Sequence, residues 1–430
     1  MAIIPQKQLF NWHEIEGLGD LERLVLVFEH MPDEKLMQLL ERMRGLGRDD
    51  YPVRGMWNAL LAGIVYQHCS IESLLSELRR NGHLRAVCGL KKAPTSSAFS
   101  RFLSKLLDME KEITALFEAL VKELIELLPD FGEHLGIDGK AIPTHAKAHK
   151  EKKSDDGRRD NDADYGVKTY RGKNEEGTSW EKVKIWFGYN LHLIVDTKYE
   201  LPVAFRVTKA SAAEGPEAHR LLGQMEQSGP ALLERGKYFT ADRGYDDRKL
   251  ILKLRDRYSI KPIIDIRNMW KDGEETKLVA GQTNVVYDYC GNVFCYCPKE
   301  RQMKPMAFGG FEQDRQTLKY RCAAYHYGIS CAGKEQCPVN KAIRIPLEED
   351  PRIFTPVARS SYKWKELYKM RTATERVNSR LDVSFGFERH FIRGQKKMQL
   401  RVGLALCVML AMAVGRIKEK QPDKMRSLVA

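Results

Sequence analysis

The sequence predicts an α/β protein: a mixed sheet flanked by helices, preceded by an all-helical segment and interrupted by a β-rich insertion. Three observations predict it. Helical periodicity runs from Leu21 to Leu128; at Pro129 it gives way to alternating, β-branched-rich segments with helical stretches among them; and short β-like pieces with most of the cysteines fill 268–357 before helical periodicity returns.

In the first segment apolar residues recur three and four apart in LERLVLVFEHM, MWNALLAGIVYQHC, IESLLSELRR and FSRFLSKLLDMEKEITALFEALVKELIELL, the spacing that lines one face of a helix. Tyr51-Pro52, Asn81-Gly82 and Ala93-Pro94 punctuate these stretches. Ser70 ahead of Glu72 and Ser73, and Thr95-Ser96-Ser97 ahead of a helical pattern, carry the side-chain oxygens that cap exposed amides at a helix start.

After Pro129, EHLGIDGKAI, KVKIWFGYNLHLIVDT and ELPVAFRVTKA read as strands, and Asp196-Thr197-Lys198 is short enough to pair the second and third as a hairpin. A helical stretch from Pro216 to Met225, a strand from Lys237 to Ala241, a helix from Asp247 to Arg257 and a strand KPIIDIR complete the order β-β-β-α-β-α-β. Between the first two strands, within 146–181, the tract KAHKEKKSDDGRRDNDADYG is too polar to bury a core and is expected to be a loop, either a solvated surface or a specific contact. Helical periodicity resumes in SYKWKELYKMRTATERVNSRL and KKMQLRVGLALCVMLAMAVGRIK, and the chain ends in a polar tail.

At 430 residues the chain has room for two or three domains, and its 43% hydrophobic and 30% charged residues exclude a largely disordered polymer. Lys and Arg number 71 against 58 Asp and Glu, a formal charge of +13 that suits a polyanionic partner; a basic protein with no nucleic-acid role shows the same balance, so charge alone does not decide. MAIIPQKQLFNWHE lacks a basic segment followed by an apolar stretch, and the longest apolar run, Val402 to Val414, is shorter than the roughly 20 residues a bilayer crossing needs. The expectation is a cytoplasmic protein with no membrane partner, whose nine cysteines serve as thiols or metal ligands more than as disulfides.

Three acids stand out. Asp138 lies inside an apolar strand, where an unpaired charge is costly, and its alternative is a salt bridge at the sheet edge. Asp242 follows the strand of KYFTADRGYDD at a glycine-containing turn, the end of an α/β strand where sites collect; a turn or cap aspartate is its alternative, although Asp246 and Asp247 are better caps for the next helix. Tyr368, Arg371 and Glu375 are three and four apart and so share a helix face, which for the last two also describes an ordinary ion pair. Carboxylates are the hard ligands that divalent ions need for phosphodiester chemistry.

Taken together and in this order, IDGKAI, TADRGYDD and Tyr368-x2-Arg371-x3-Glu375 resemble the motifs of DDE-type insertion-sequence transposases with an RNase H-like catalytic domain. YPVRGMWNALLAGIVYQHCSIESLLSELRRNGHLRAVCGL resembles the helical N-terminal domain of those enzymes, so the resemblance covers nearly the whole chain. It implies a helical DNA-binding domain at 1–128, an RNase H-like mixed five-stranded core at 129–267 and 359–418, a β-rich insertion at 268–358 and a tail at 419–430.

It also implies Asp138, Asp242 and Glu375 as catalytic ligands of two Mg²⁺ (or Mn²⁺) ions roughly 3.5 to 4 Å apart, with Tyr368 and Arg371 holding DNA phosphate and Lys140 and Arg243 as further DNA contacts. The family often has Lys seven positions after the glutamate; Asp382 stands there, and Arg376 and Arg380 are the candidates to replace it. Water would attack the phosphodiester at the element's end, and the freed 3′-hydroxyl would attack target DNA. Double-stranded DNA at terminal repeats and target, and a homodimer on DNA, are the implied partners. The rivals are a metal nuclease without strand transfer and a non-catalytic DNA-binding descendant.

Cys290, Cys295, Cys297, Cys322, Cys331 and Cys337 cluster in the insertion, while Cys69, Cys88 and Cys407 lie in helical contexts. Cys297, Cys322, Cys331 and Cys337 have the number and chemistry of a structural Zn²⁺ site, without a CxxC pair, against the alternative of free thiols; His326 is a further candidate or an exposed loop residue. Aromatic and basic residues interleave in RIFTPVARSSYKWKELYKMR and FGFERHFIRGQKKMQLR, as either DNA grips or core aromatics with solvated basic faces. Trp270 is a candidate for stacking on a flipped base, as in some relatives.

Overall fold

The computed structural model describes residues 20–45, 50–146, 160–174, 178–297 and 299–427. Helices α1 (Asp20–His30), α2 (Glu34–Arg44), α3 (Val53–Val65), α4 (Ile71–Arg80), α5 (Gly82–Val87), α6 (Ser96–Leu107) and α7 (Glu110–Leu127) follow one another. Their starts are written locally: Ser70 accepts from the Ser73 amide at 3.1 Å, Asn81 from Leu84 at 2.9 Å and Thr95 from Ala98 at 3.2 Å.

Strands β1 (His134–Pro143), β2 (Asp164–Lys173), β3 (Ser179–Asp196), β4 (Leu201–Lys209), β5 (Tyr238–Ala241) and β6 (Lys261–Ile264) form one mixed sheet. The inner half of β3, from Gly188 to Asp196, carries β1 on one side and β4 on the other, both antiparallel, while β1, β5 and β6 run parallel. The order β4-β3-β1-β5-β6 is the expected mixed five-stranded α/β arrangement. The β3–β4 connection closes on Asp196, whose carboxylate accepts from the amides of Gly132, Lys198 and Tyr199 at 2.7 to 2.9 Å.

β2 is a correction. The polar tract was expected to be loop throughout; 147–159 lie outside the described residues, but Asp164–Lys173 pairs antiparallel with Ser179–Gly188. The hairpin projects beyond the core, leaving Tyr165, Val167, Val183 and Ile185 exposed, so it lacks the burial that makes strand periodicity informative.

Helices α8 (Glu214–Ser228), α9 (Ala231–Arg235) and α10 (Arg248–Leu252) flank the sheet. After β6 come two small antiparallel sheets, β7 (Thr276–Leu278), β8 (Val285–Asp288), β9 (Val293–Cys297) and β10 (Gln302–Pro305), then β11 (Ala307–Glu312), β12 (Thr317–Arg321) and β13 (Ala342–Pro346), with short helix α11 (Ala323–His326) between the last two. They share an apolar cluster separate from the main core, including Val285, Leu318, Ile345 and Phe354.

The segment with one continuous helical period splits into α12 (Tyr362–Lys369) and α13 (Thr372–Phe385). The hydroxyls of Thr372 and Thr374 bond the carbonyls of Lys369 and Arg371, at 3.0 and 2.8 Å, and the amides of Met370, Arg371, Ala373 and Thr374 reach back three residues. Helix α14 (Gln395–Lys418) is long and apolar enough to cross a membrane by composition, yet 78% of its apolar window is buried in the protein, against α1, α3, α7 and β4. The first helices and the sheet therefore share one core.

Candidate active site

The parallel register of β1 and β5 sets Gly136 beside Thr240. Two residues further along each chain, on the same side by strand parity, come Asp138 and Asp242. Asp138 Oδ1 accepts from the Gly139 amide at 2.9 Å and Oδ2 from Asn378 Nδ2 at 3.3 Å; Asp242 Oδ1 accepts from the Gly244 amide at 2.8 Å as the chain enters a tight turn. Neither carboxylate is in an ion pair with a described residue. Burial foremost, and the Asp242 charge, push the Asp138 carboxyl up to about 6, against the opposing pull of Lys168 and Arg371. Two neighbouring carboxylates, one of them buried and neither directly ion-paired, are a donor set that fits a divalent cation.

Glu375 shares a face of α13 with Asn378 and Asp382, and Asn378 touches Asp138. Its own carboxylate is half exposed and paired with Arg371 at 2.7 Å. Among the described residues, the group of three metal-ligating side chains whose atoms lie within 4.8 Å of one another is Cys297, Glu300 and Cys331, so Asp138, Asp242 and Glu375 do not meet at one point. Two of the three acids are neighbours, and the third stands one turn from contact.

The basic candidates divide. Tyr368 stacks on Trp364 with ring centroids 4.7 Å apart, and the Arg371 guanidinium lies 5.8 Å from the Tyr368 ring. Arg243 is exposed and pairs with Asp265 at 3.3 Å. Lys140, only 11% exposed, is neutralised by Asp382 at 2.5 Å. Arg376 and Arg380 both bind the buried Glu200, Arg376 at 2.7 Å. Asp246, expected as a cap, is instead buried against Arg352 at 2.8 Å and accepts from the Arg267 amide; Asp247 caps α10 through the amides of Lys249 and Leu250. The partner of Asp246 comes from the far end of the insertion, which no local pattern announces.

Three residues near the acids were missed. Asn378 could have been found from its spacing of three from Glu375. Lys168 lies on the unread strand β2, and Glu214 opens α8 beyond the hairpin.

In the insertion Cys295 and Cys297 share the buried face of β9. The amide of Glu300 foremost, with those of Gly333 and Lys299, points at Cys297 Sγ and holds its thiol below the usual value; Cys331 bonds the same sulfur. Cys295 lies within electrostatic reach of Cys322, Cys337 and Cys331, and Asn284 donates to Cys337 Sγ at 3.5 Å. His326 turns to the Lys341 carbonyl at 3.2 Å. Trp270 packs edge-on to Tyr287 with Lys277 4.8 Å from its ring.

No curated protein matches the chain. Among solved structures it is similar to piggyBac transposase, solved as a synaptic complex with hairpin DNA, at 12% identity and a TM-score of 0.38 over 95% of this chain and 79% of that one. A family model described as a transposase domain matches residues 12–105, and one described as a transposase DDE domain matches residues 130–411. Since that last match spans more than half of the chain and contains Asp138, Asp242 and Glu375, the chain belongs to the DDE transposases and is a DNA transposase, a polynucleotidyl transferase.

Proposed function

We propose that this transposase binds the ends of an insertion sequence, cleaves there and joins the freed 3′-hydroxyls to target DNA, using two Mg²⁺ (or Mn²⁺) ions held by Asp138, Asp242 and Glu375. The observation that carries the reading is the pair of neighbouring carboxylates, the largely buried Asp138 within β1 and Asp242 just after the end of the parallel strand β5, neither in an ion pair with a described residue. Glu375 joins them at small cost, since an i,i+4 helix pair with a half-exposed carboxylate, such as Arg371–Glu375, is worth only about 0.3–0.5 kcal/mol. Divalent ions in such a site activate the attacking oxygen and stabilise the leaving one. Released from Glu375, Arg371 supplies a guanidinium for a DNA phosphate beside the acids, steadied by the Tyr368 ring.

On this reading 1–128 contact the element ends, 129–267 and 359–418 make the catalytic core around the insertion 268–358, and two copies act together on double-stranded DNA in the cytoplasm. The test is a plasmid carrying the gene with its flanking DNA, incubated with protein and Mg²⁺. Wild type should release cut ends and joined products, and Asp242→Ala should do neither. Cut ends without joining would support a nuclease, and cleavage retained in Asp242→Ala would overturn the site.

The cysteine cluster supports a different kind of ion, a structural Zn²⁺ bound by Cys297, Cys322, Cys331 and Cys337, of which Cys297 and Cys331 lie together with Glu300 within 4.8 Å. Backbone amides aimed at Cys297 Sγ favour its thiolate, the form that ligates metal. One zinc per chain by elemental analysis, lost in Cys331→Ser and kept in Cys69→Ser, is expected; metal-free protein with all thiols titratable would refute it.

A further inference from the structure

The β2–β3 hairpin brings a charge pattern to the acid pair. Lys168 Nζ lies 2.8 Å from Glu214 Oε1 and donates to the Gly139 carbonyl at 3.3 Å, beside Asp138. Glu214 reaches the same spot from the first turn of α8: a Cβ built on Gly139 would lie 2.9 Å from its Oε1, and one on Gly244 would overlap its Oε2 and lie 2.8 Å from Asp242 Oδ1. Glycine at both positions leaves room for this carboxylate, which grips the Lys168 ammonium next to the acids. The neighbouring cations are otherwise engaged, Lys140 by Asp382, Arg371 by Glu375 and Arg243 by Asp265.

Lys168 does not stand alone on its face. Lys184 is its direct partner across the hairpin, and Lys182 follows two residues outward on the same side. Like charges directly opposite one another destabilise a strand pair. Lys182 and Lys184 are exposed, and neither is in an ion pair with a described residue. Three ammonium groups thus run outward from the acid pair along one side of a projecting hairpin, with Glu214 relieving only the innermost. A polyanion lying along them would relieve the rest.

We propose that this face of the hairpin is a track for the DNA backbone, and that Lys168, mounted on Glu214, is the residue that positions the phosphate beside Asp138 and Asp242. The proposal rests on those two aspartates being the catalytic acids. Lys168 is held by Glu214 and not by either aspartate, so its ammonium stays beside the acids and can meet an entering phosphate there.

The test uses the full chain and a fluorescein-labelled duplex of arbitrary sequence, with anisotropy read across a salt series in the absence of divalent metal. Lys182→Gln and Lys184→Gln should each weaken binding several-fold and lower the slope of log affinity against log salt by about 1. In the plasmid assay with Mg²⁺, Lys168→Gln should cut the rate at saturating DNA at least about tenfold and Lys168→Arg should restore most of it, a rescue that a merely structural charge would not need. Unchanged salt slopes in the Lys182 and Lys184 variants would overturn the track. A full rate in Lys168→Gln would overturn the positioning role. If Lys168→Gln does not fold, the other two variants still decide the track and Lys168→Arg against wild type the positioning. Cleavage retained in Asp242→Ala would instead refute the catalytic reading and leave the salt slopes standing.

Discussion

Asn378 donates its side-chain amide to Asp138 Oδ2 at 3.3 Å from a helix position one turn beyond Glu375. The contact docks α13 on β1 and keeps Glu375 at the rim of the acid pair while its carboxylate rests on Arg371. Glu375→Ala should therefore change stability by less than about 0.5 kcal/mol, the worth of an i,i+4 helix pair with a half-exposed carboxylate, yet abolish Mg²⁺-dependent cleavage. Thermal unfolding and the plasmid assay on the same preparation measure both. An active Glu375→Ala protein would remove this residue from the site.

The Lys140–Asp382 pair is nearly buried and joins β1 to α13. Removing one partner strands the other, a loss that costs more than the intact pair contributes. Asp382→Ala should destabilise the protein by about 2–4 kcal/mol, and Asp382→Lys by more, since two ammonium groups would then face each other. The double variant Lys140→Met/Asp382→Leu should recover most of the loss in denaturant unfolding. Additive losses in the double variant would show that the two residues are not coupled.

His192 sits fully buried in the middle of β3, its Nε2 3.0 Å from Thr208 Oγ1. Burial foremost, with Lys168 and Arg206 nearby, lowers its pKa to about 4. The unfolded chain takes up a proton near pH 6.5 that the folded chain refuses, so the stability due to neutral His192 is complete above that pH and is lost as pH falls toward 4. Up to about 3 kcal/mol of acid sensitivity should trace to this residue. In His192→Gln, unfolding free energy should fall less steeply from pH 7 to pH 4; an identical slope would contradict the assignment.

Gly136 leaves no room for a side chain. Its Cβ would lie 2.7 Å from Thr197 Cγ2, 2.8 Å from Thr240 Oγ1 and 3.2 Å from Thr374 Cγ2, and the hydroxyls of all three threonines are bonded to carbonyls. Gly136→Ala should cost about 1–3 kcal/mol by pushing α13 off β1, and should slow cleavage by shifting Asn378 from Asp138. Gly223→Ala in α8 meets nothing within 4 Å and should stabilise by up to about 1 kcal/mol. Equal effects at the two glycines would argue against the packing account.

What the sequence determined by itself is what short-range physics controls. The helical period before Pro129, the caps at Ser70, Thr95 and Asp247, and the strand that ends just before Asp242 all depend on residues a few positions apart. The proposed pairing of Asp138 with Asp242 was legible in outline, because an acid inside an apolar strand, as Asp138 is, or just past the end of one, as Asp242 is, is costly as ordinary packing. Tertiary structure alone decided the rest. Lys140 met Asp382 across 242 residues, Arg376 met Glu200 across 176, and Asp246 met Arg352 across 106, so each charge had several equally plausible partners until the chain folded. The hairpin carrying Lys168 was hidden because neither of its faces is buried enough to impose a period, and Glu214 because only the fold brings the first turn of α8 against β1.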